Sequence, residues 1–173
     1  MITCVLAFLF QLAFAAPHPL AGSSIVNTPN NSLAMSQLGF KLGTMPTNWI
    51  YKNSSDLDSQ SLEIGPANQL ARSILTIRTE KVPMKTDLEK YVRQYLRDYN
   101  QYGFEVTGLQ SFKKTITPSV IVDLTQKNKQ TKSRQVFYHK GDKLVLATCI
   151  DTFEKFDKTV ITCNRVLGGF EWR

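Results

Sequence analysis

The chain has 173 residues, 42% of them hydrophobic and 20% charged, and a formal net charge of +7. This length fits one domain with a sizeable core, and the composition excludes a disordered chain. A basic excess of this kind steers anionic partners and says little about fold.

Residues 2–15 (ITCVLAFLFQLAFA) carry no charge and no helix-breaking residue. A bilayer span needs about 20 apolar residues, so this run is short for one. It ends in Ala13-Phe14-Ala15, a pattern that a signal peptidase cuts, although the expected basic residues before it are missing. The rival reading is a buried N-terminal segment, which Pro17, Pro19 and Gly22 would strand from the fold. The expectation is a signal peptide at 1–15 and an exported protein, periplasmic or extracellular, that does not span a membrane. Residues 16–35 are rich in Pro, Ser and Asn and read as a flexible leader to a single α/β domain at 36–173.

Gly39 to Leu42, a turn at Gly43 to Pro46, and Asn48 to Tyr51 predict a short strand, a turn and a second aromatic strand. Ser61 to Gly65 and Ser73 to Thr79 are further strand candidates. A helix is predicted near 86–102, after Pro83, with Thr86 and Glu89 as a capping box and Gly103 as the stop. At helical spacing, Leu88, Tyr91, Val92, Tyr95, Leu96, Tyr99 and Tyr102 share an arc of about 140°, with every charge outside it. The tyrosines read as core packing with hydroxyls at the rim; the alternative is a ligand-stacking face.

Four strand-like runs follow, Phe104 to Ile116, Ser119 to Thr125, Ser133 to His139 and Lys143 to Ile150. Their short connections imply antiparallel neighbours, since a parallel crossover needs a dozen or more residues. Leu144 to Ile150 is nearly all apolar, which predicts a central strand covered on both faces. The last segment has two readings. A helix near 152–167 would be capped at Asp151 and Glu154 and carry Phe153, Phe156, Val160, Ile161, Cys163 and Leu167 on its face. A hairpin would instead pair Thr159 to Cys163 with the preceding strand; the helix is preferred. Two helices on opposite faces of the sheet give an α+β, three-layer α/β/α sandwich with a mainly antiparallel sheet.

Cys149 and Cys163 remain after cleavage, and an even count in an exported chain favours a disulfide over two buried thiols.

The element order resembles the PsbP-like α/β/α sandwich, a fold also found in small bacterial exported proteins. Leu38-Gly39-Phe40 with Pro46-x-x-Trp49, the tyrosine-rich helix after Pro83, and Phe156, Val166-Leu167 and Phe170 carry the resemblance over 36–173. It implies that fold and an accessory or binding role, and it supplies no catalytic residue.

Residues suited to catalysis or metal binding are sparse. His18 lies in the leader, and His139 ends a strand. A hydrolase would need a hydroxyl and an acid, Asp123 or Asp142, converging on His139, and no motif selects the nucleophile. Cys149, Cys163 and His139 match no zinc spacing. Asp56 with Asp58, and Glu154 with Asp157, read as turn, cap and surface groups, and Gly168-Gly169 has no helix after it to cradle a phosphate. No metal, cofactor or catalytic residue is expected.

The feature above background is basic. Lys113, Lys114, Lys127, Lys129, Lys132, Arg134 and Lys140 stand against one acid, Asp123, so +6 of the net charge falls between 113 and 140. The plain reading is a solvated hairpin whose lysines deter edge pairing. The sharper reading is an anion-binding surface. Nucleic acid favours aromatic side chains among the cations, and residues 126–135 contain none. The expected function is that of an exported, monomeric, non-enzymatic accessory protein. It would engage an unidentified anionic macromolecule, either an envelope component or an acidic protein, through the basic hairpin. The alternatives are an envelope-acting hydrolase using His139 and a carrier of an apolar ligand under the tyrosine helix.

Overall fold

The computed structural model describes residues 38–52, 61–68 and 71–173. The expectations for 1–35 lie outside the described residues. In chain order the elements are β1 (Phe40–Lys41), β2 (Trp49–Tyr51), β3 (Ser61–Pro66), β4 (Ile74–Lys81), α1 (Leu88–Leu96), β5 (Phe104–Phe112), β6 (Ser119–Gln126), β7 (Thr131–Lys140), β8 (Lys143–Thr152), α2 (Phe156–Leu167) and β9 (Glu171–Trp172).

Seven strands form one antiparallel sheet in the order β2-β3-β4-β8-β7-β6-β5. The apolar run of β8 lies in its middle, where Leu144, Val145, Leu146 and Ala147 are all buried. Successive side chains of a strand point to opposite faces. Val145, Ala147 and Cys149 therefore join one core, with Leu75, Ile77, Val136 and the α2 residues Phe156, Val166 and Leu167. Leu144 and Leu146 join the other, with Val120, Val122, Leu124, Phe137 and the α1 residues Val92 and Leu96. Each fully buried side chain of this size stabilises the fold by about 1.5–3 kcal/mol. With a helix on each face, the sheet is the middle of three layers. The chain is α+β, with a large antiparallel sheet and two helices.

Four local expectations are corrected. The strands on either side of the Gly43 to Pro46 turn both form but do not pair with each other; β1 pairs with β9, placing Phe40 opposite Trp172 and Lys41 opposite Glu171. Phe40 is fully buried there, and its ring stacks on Phe170 at 5.3 Å. The first helix is capped by Asp87, whose carboxylate accepts from Lys90 N at 3.0 Å, while the Thr86 hydroxyl turns back to Pro83 O. It is also shorter than expected. The chain leaves α1 after Leu96 in a series of turns, so Tyr102 stands 73% exposed instead of joining the core face. The C-terminal segment is a helix, but Asp151 belongs to β8, and Lys155, which starts α2, makes no side-chain cap.

Among the described residues no helix is long and apolar enough to cross a membrane.

Candidate anion-binding surface

The β6–β7 hairpin closes through a tight turn. Lys129 N donates to Gln126 O at 2.7 Å, Gln130 N donates to Asn128 Oδ1 at 3.1 Å, and Lys129 adopts a left-handed φ of 56°. Asn at the position before it makes this turn from its own side chain. The result is a short, well-braced tip that carries Lys127 and Lys129 into solvent.

The seven predicted cations do not form one patch. Lys127, Lys129 and Lys132 sit at the β6–β7 end of the sheet, whereas Lys113, Lys114 and Lys140 lie at the opposite end, past β5 and β7. Strands of eight to ten residues, at 3.2–3.4 Å per residue, separate the two groups by roughly 25–30 Å. Arg134 lies between them.

Their partners differ as well. Arg134 grips Asp123 through two hydrogen bonds of 2.7 and 2.9 Å, and the carboxylate holds the guanidinium above its ordinary pKa. That geometry saturates Arg134 within the fold. Lys132 lies 4.4 Å over the Phe153 ring and 3.5 Å from Asp157. Lys113 pairs with Glu89 at 2.9 Å; Lys113 and then Arg93 pull the Glu89 carboxyl down to about 2. Lys127 donates to Asn100 O at 3.1 Å, a contact that leaves its charge uncompensated. Lys129, Lys114 and Lys140 have no carboxylate partner among the described residues.

Lys127 also borders an open hollow of about 500 Å³, lined further by Leu96, Asn100, Phe104, Glu105 and Val106. Its lining mixes apolar Leu96, Phe104 and Val106 with polar Asn100, Glu105 and Lys127.

The alternative sites look different in three dimensions. His139 lies on β7 beside the α1 layer, its Nε2 buried without a hydrogen-bond partner. No hydroxyl or carboxylate among the described residues bonds to it. No group of three or more His, Cys, Asp or Glu among those residues is arranged to hold a metal ion. The tyrosine face of α1 sits directly on the core. Tyr95 meets Phe137 edge-on at 5.4 Å, and its hydroxyl accepts from Arg78 at 3.1 Å and from Tyr99 at 2.8 Å. Tyr99 in turn receives Gln135 Nε2 at 3.2 Å, and Tyr91 donates to Glu80 at 3.0 Å. The hydroxyls are therefore tied into the sheet, and the rings are packing groups.

One polar cluster had no sequence signal. Asp151 is 2% exposed and accepts from Ser73 at 2.7 Å, Thr159 at 2.5 Å and its neighbour Thr152 N at 2.6 Å. Burial pushes the carboxyl up, but these three donors outweigh it and leave its pKa below the ordinary value. Ser73 lies 78 positions away, so only the fold reveals the contact. The predicted disulfide is present: Cys149 on β8 bonds to Cys163 on α2, with their Cα atoms 6.2 Å apart.

By sequence, no family model and no curated protein matches the chain. Its architecture does have counterparts. The solution structure of cyanobacterial PsbP (CyanoP) from Synechocystis sp. PCC 6803 superposes with a TM-score of 0.58 at 11% identity, covering 80% of this chain and 89% of that one. LpqN of Mycobacterium tuberculosis, described as involved in cell envelope biogenesis, superposes with a TM-score of 0.56 at 12% identity, covering 76% and 81%. A protein from Bacteroides thetaiotaomicron gives 0.52 at 12% identity, this chain spanning 45% of it. The chain therefore has the PsbP-like fold. At these identities the likeness concerns architecture alone.

Proposed function

We propose that this is an exported, non-enzymatic accessory protein that binds an acidic macromolecule of the cell envelope through the β6–β7 hairpin. The observation that carries this reading is the pair Lys127 and Lys129. Both project from a braced tip without a carboxylate partner among the described residues, and Lys127 borders an open hollow lined in part by Leu96, Phe104 and Val106. Uncompensated cations on a rigid support keep their field available to a partner, and the neighbouring apolar surface supplies area to bury. Export is supported by the A-x-A pattern at Ala13-Phe14-Ala15 and by the Cys149–Cys163 bond, which suits an oxidising compartment. A counterpart of the same fold described as involved in envelope biogenesis is consistent with that setting.

The test is a pull-down from the organism's own envelope extract at increasing ionic strength, with wild type and a Lys127→Gln, Lys129→Gln, Lys132→Gln variant. The expected result is a captured acidic component that is lost with salt and lost in the variant. Capture that ignores both changes would overturn the reading.

A further inference from the structure

We propose that the opposite end of the sandwich is a docking surface for an anionic lipid bilayer. It goes beyond the hairpin reading and uses none of the hairpin residues. Three loops leave this end together: 82–87 after β4, 113–118 between β5 and β6, and 141–142 between β7 and β8. Val82 N donates to Asp142 O at 2.9 Å, and the Lys113–Glu89 pair ties the second loop to the start of α1. The loops thus form one supported surface.

Its charges are unusual in their placement. Lys81 lies directly opposite Lys143, and Lys143 directly opposite Lys140, so three lysines share one row across β4, β8 and β7. Like charges directly opposite on a sheet repel and destabilise it. Lys81, Lys85, Lys114, Lys140 and Lys143 are all exposed and have no carboxylate partner among the described residues. Two of the acids close by are paired with cations: Glu89 with Lys113 and Arg93, and Glu80 with Arg78. Among the described residues near this end, Asp87 and Asp142 form no salt bridge, so the lysines keep a clear positive excess.

Apolar side chains protrude among these lysines. Ile116 is fully exposed at 104%, Met84 is 74% exposed, and Phe112 at the end of β5 is 41% exposed. The Ile116 loop is shaped for this, since the Thr115 hydroxyl donates to Thr117 O at 2.8 Å and lies 3.3 Å from Phe112 O. A soluble acidic partner would satisfy the lysines and leave these tips in water. At a lipid interface both needs are met, with apolar tips entering the acyl boundary and ammonium groups held at the level of anionic head groups. The absence of a crossing helix among the described residues fits peripheral attachment.

The experiment is co-sedimentation with vesicles of phosphatidylcholine alone or with added phosphatidylglycerol, using protein in the form its host produces. Two surface variants are compared with wild type, Lys81→Gln with Lys140→Gln and Lys143→Gln, and Met84→Ser with Ile116→Ser. The hairpin triple variant is the control, and melting curves confirm that each variant is folded. Partitioning should require phosphatidylglycerol and fall about a hundredfold without the three lysines. It should fall about tenfold or more without the two apolar tips and stay unchanged in the hairpin control. Equal affinity for both vesicle types, or none for either, would overturn the proposal. So would loss in the lysine variant with full binding by the Met84 and Ile116 variant, which would mark a surface for soluble polyanions. The control separates the two readings, because failure at the hairpin leaves vesicle binding intact and the reverse.

Discussion

Gly43 and Gly169 meet backbone against backbone. A methyl group on Gly169 would lie 2.4 Å from Gly43 Cα, and one on Gly43 would lie 2.7 Å from Arg165 O. Gly43 N also donates to Val166 O at 2.7 Å. The contact clamps the segment after β1 onto the end of α2. Because the obstructing atoms are backbone, no side chain can turn aside. Gly169→Ala and Gly43→Ala should each destabilise the protein by about 1–3 kcal/mol, measured by denaturant unfolding. An unchanged midpoint in both would contradict this packing.

The Cys149–Cys163 bond fastens α2 to the central strand across 14 positions of sequence. A loop of that size contributes about 3 kcal/mol in the chain-entropy model. Cys149→Ser with Cys163→Ser should lower stability by about that amount, and reductant should do the same to wild type. Intact mass with and without reductant should differ by two hydrogens for this bond.

Asp151 predicts a pH response. Its folded-state pKa lies below the unfolded one, so its stabilisation is complete above about pH 4 and fades as pH falls through the folded value. Asp151→Asn removes the charge that Ser73, Thr159 and the Thr152 N–H converge on, and should cost about 1–3 kcal/mol at neutral pH. The gap between variant and wild type should narrow below pH 4, as read by urea unfolding across pH. A gap that stays constant there would refute the assignment.

Phe170 stacks on Tyr138 with ring centroids 3.9 Å apart and planes 3° from parallel, and it also touches Phe40 and Trp172. Burial drives the Tyr138 phenol well above its ordinary pKa. Phe170→Ala should cost about 3–5 kcal/mol and release the β1–β9 ribbon. Hydrogen exchange at Phe40 and Lys41 reports that release, and continued protection there would count against it.

What was legible in the sequence was whatever depends on near neighbours. The apolar run Leu144 to Ala147 identifies the central strand because only a strand covered on both faces can hide it, and Leu88, Val92 and Leu96 recur at helical spacing because they meet one core. Short turns force the antiparallel meander, and Cys149 with Cys163 form the expected bond. Contacts between distant residues were invisible. Nothing local says that Phe40 pairs with Trp172, since a strand of two residues has no periodicity and its partner is decided by who else is buried nearby. Asp151 resembles a helix cap until Ser73 is brought to it from another strand. The basic residues show the same divide. They are close in sequence between 113 and 140, but the chain reverses direction at each turn, so the fold sends them to opposite ends and sets Lys81, Lys143 and Lys140 in one row instead.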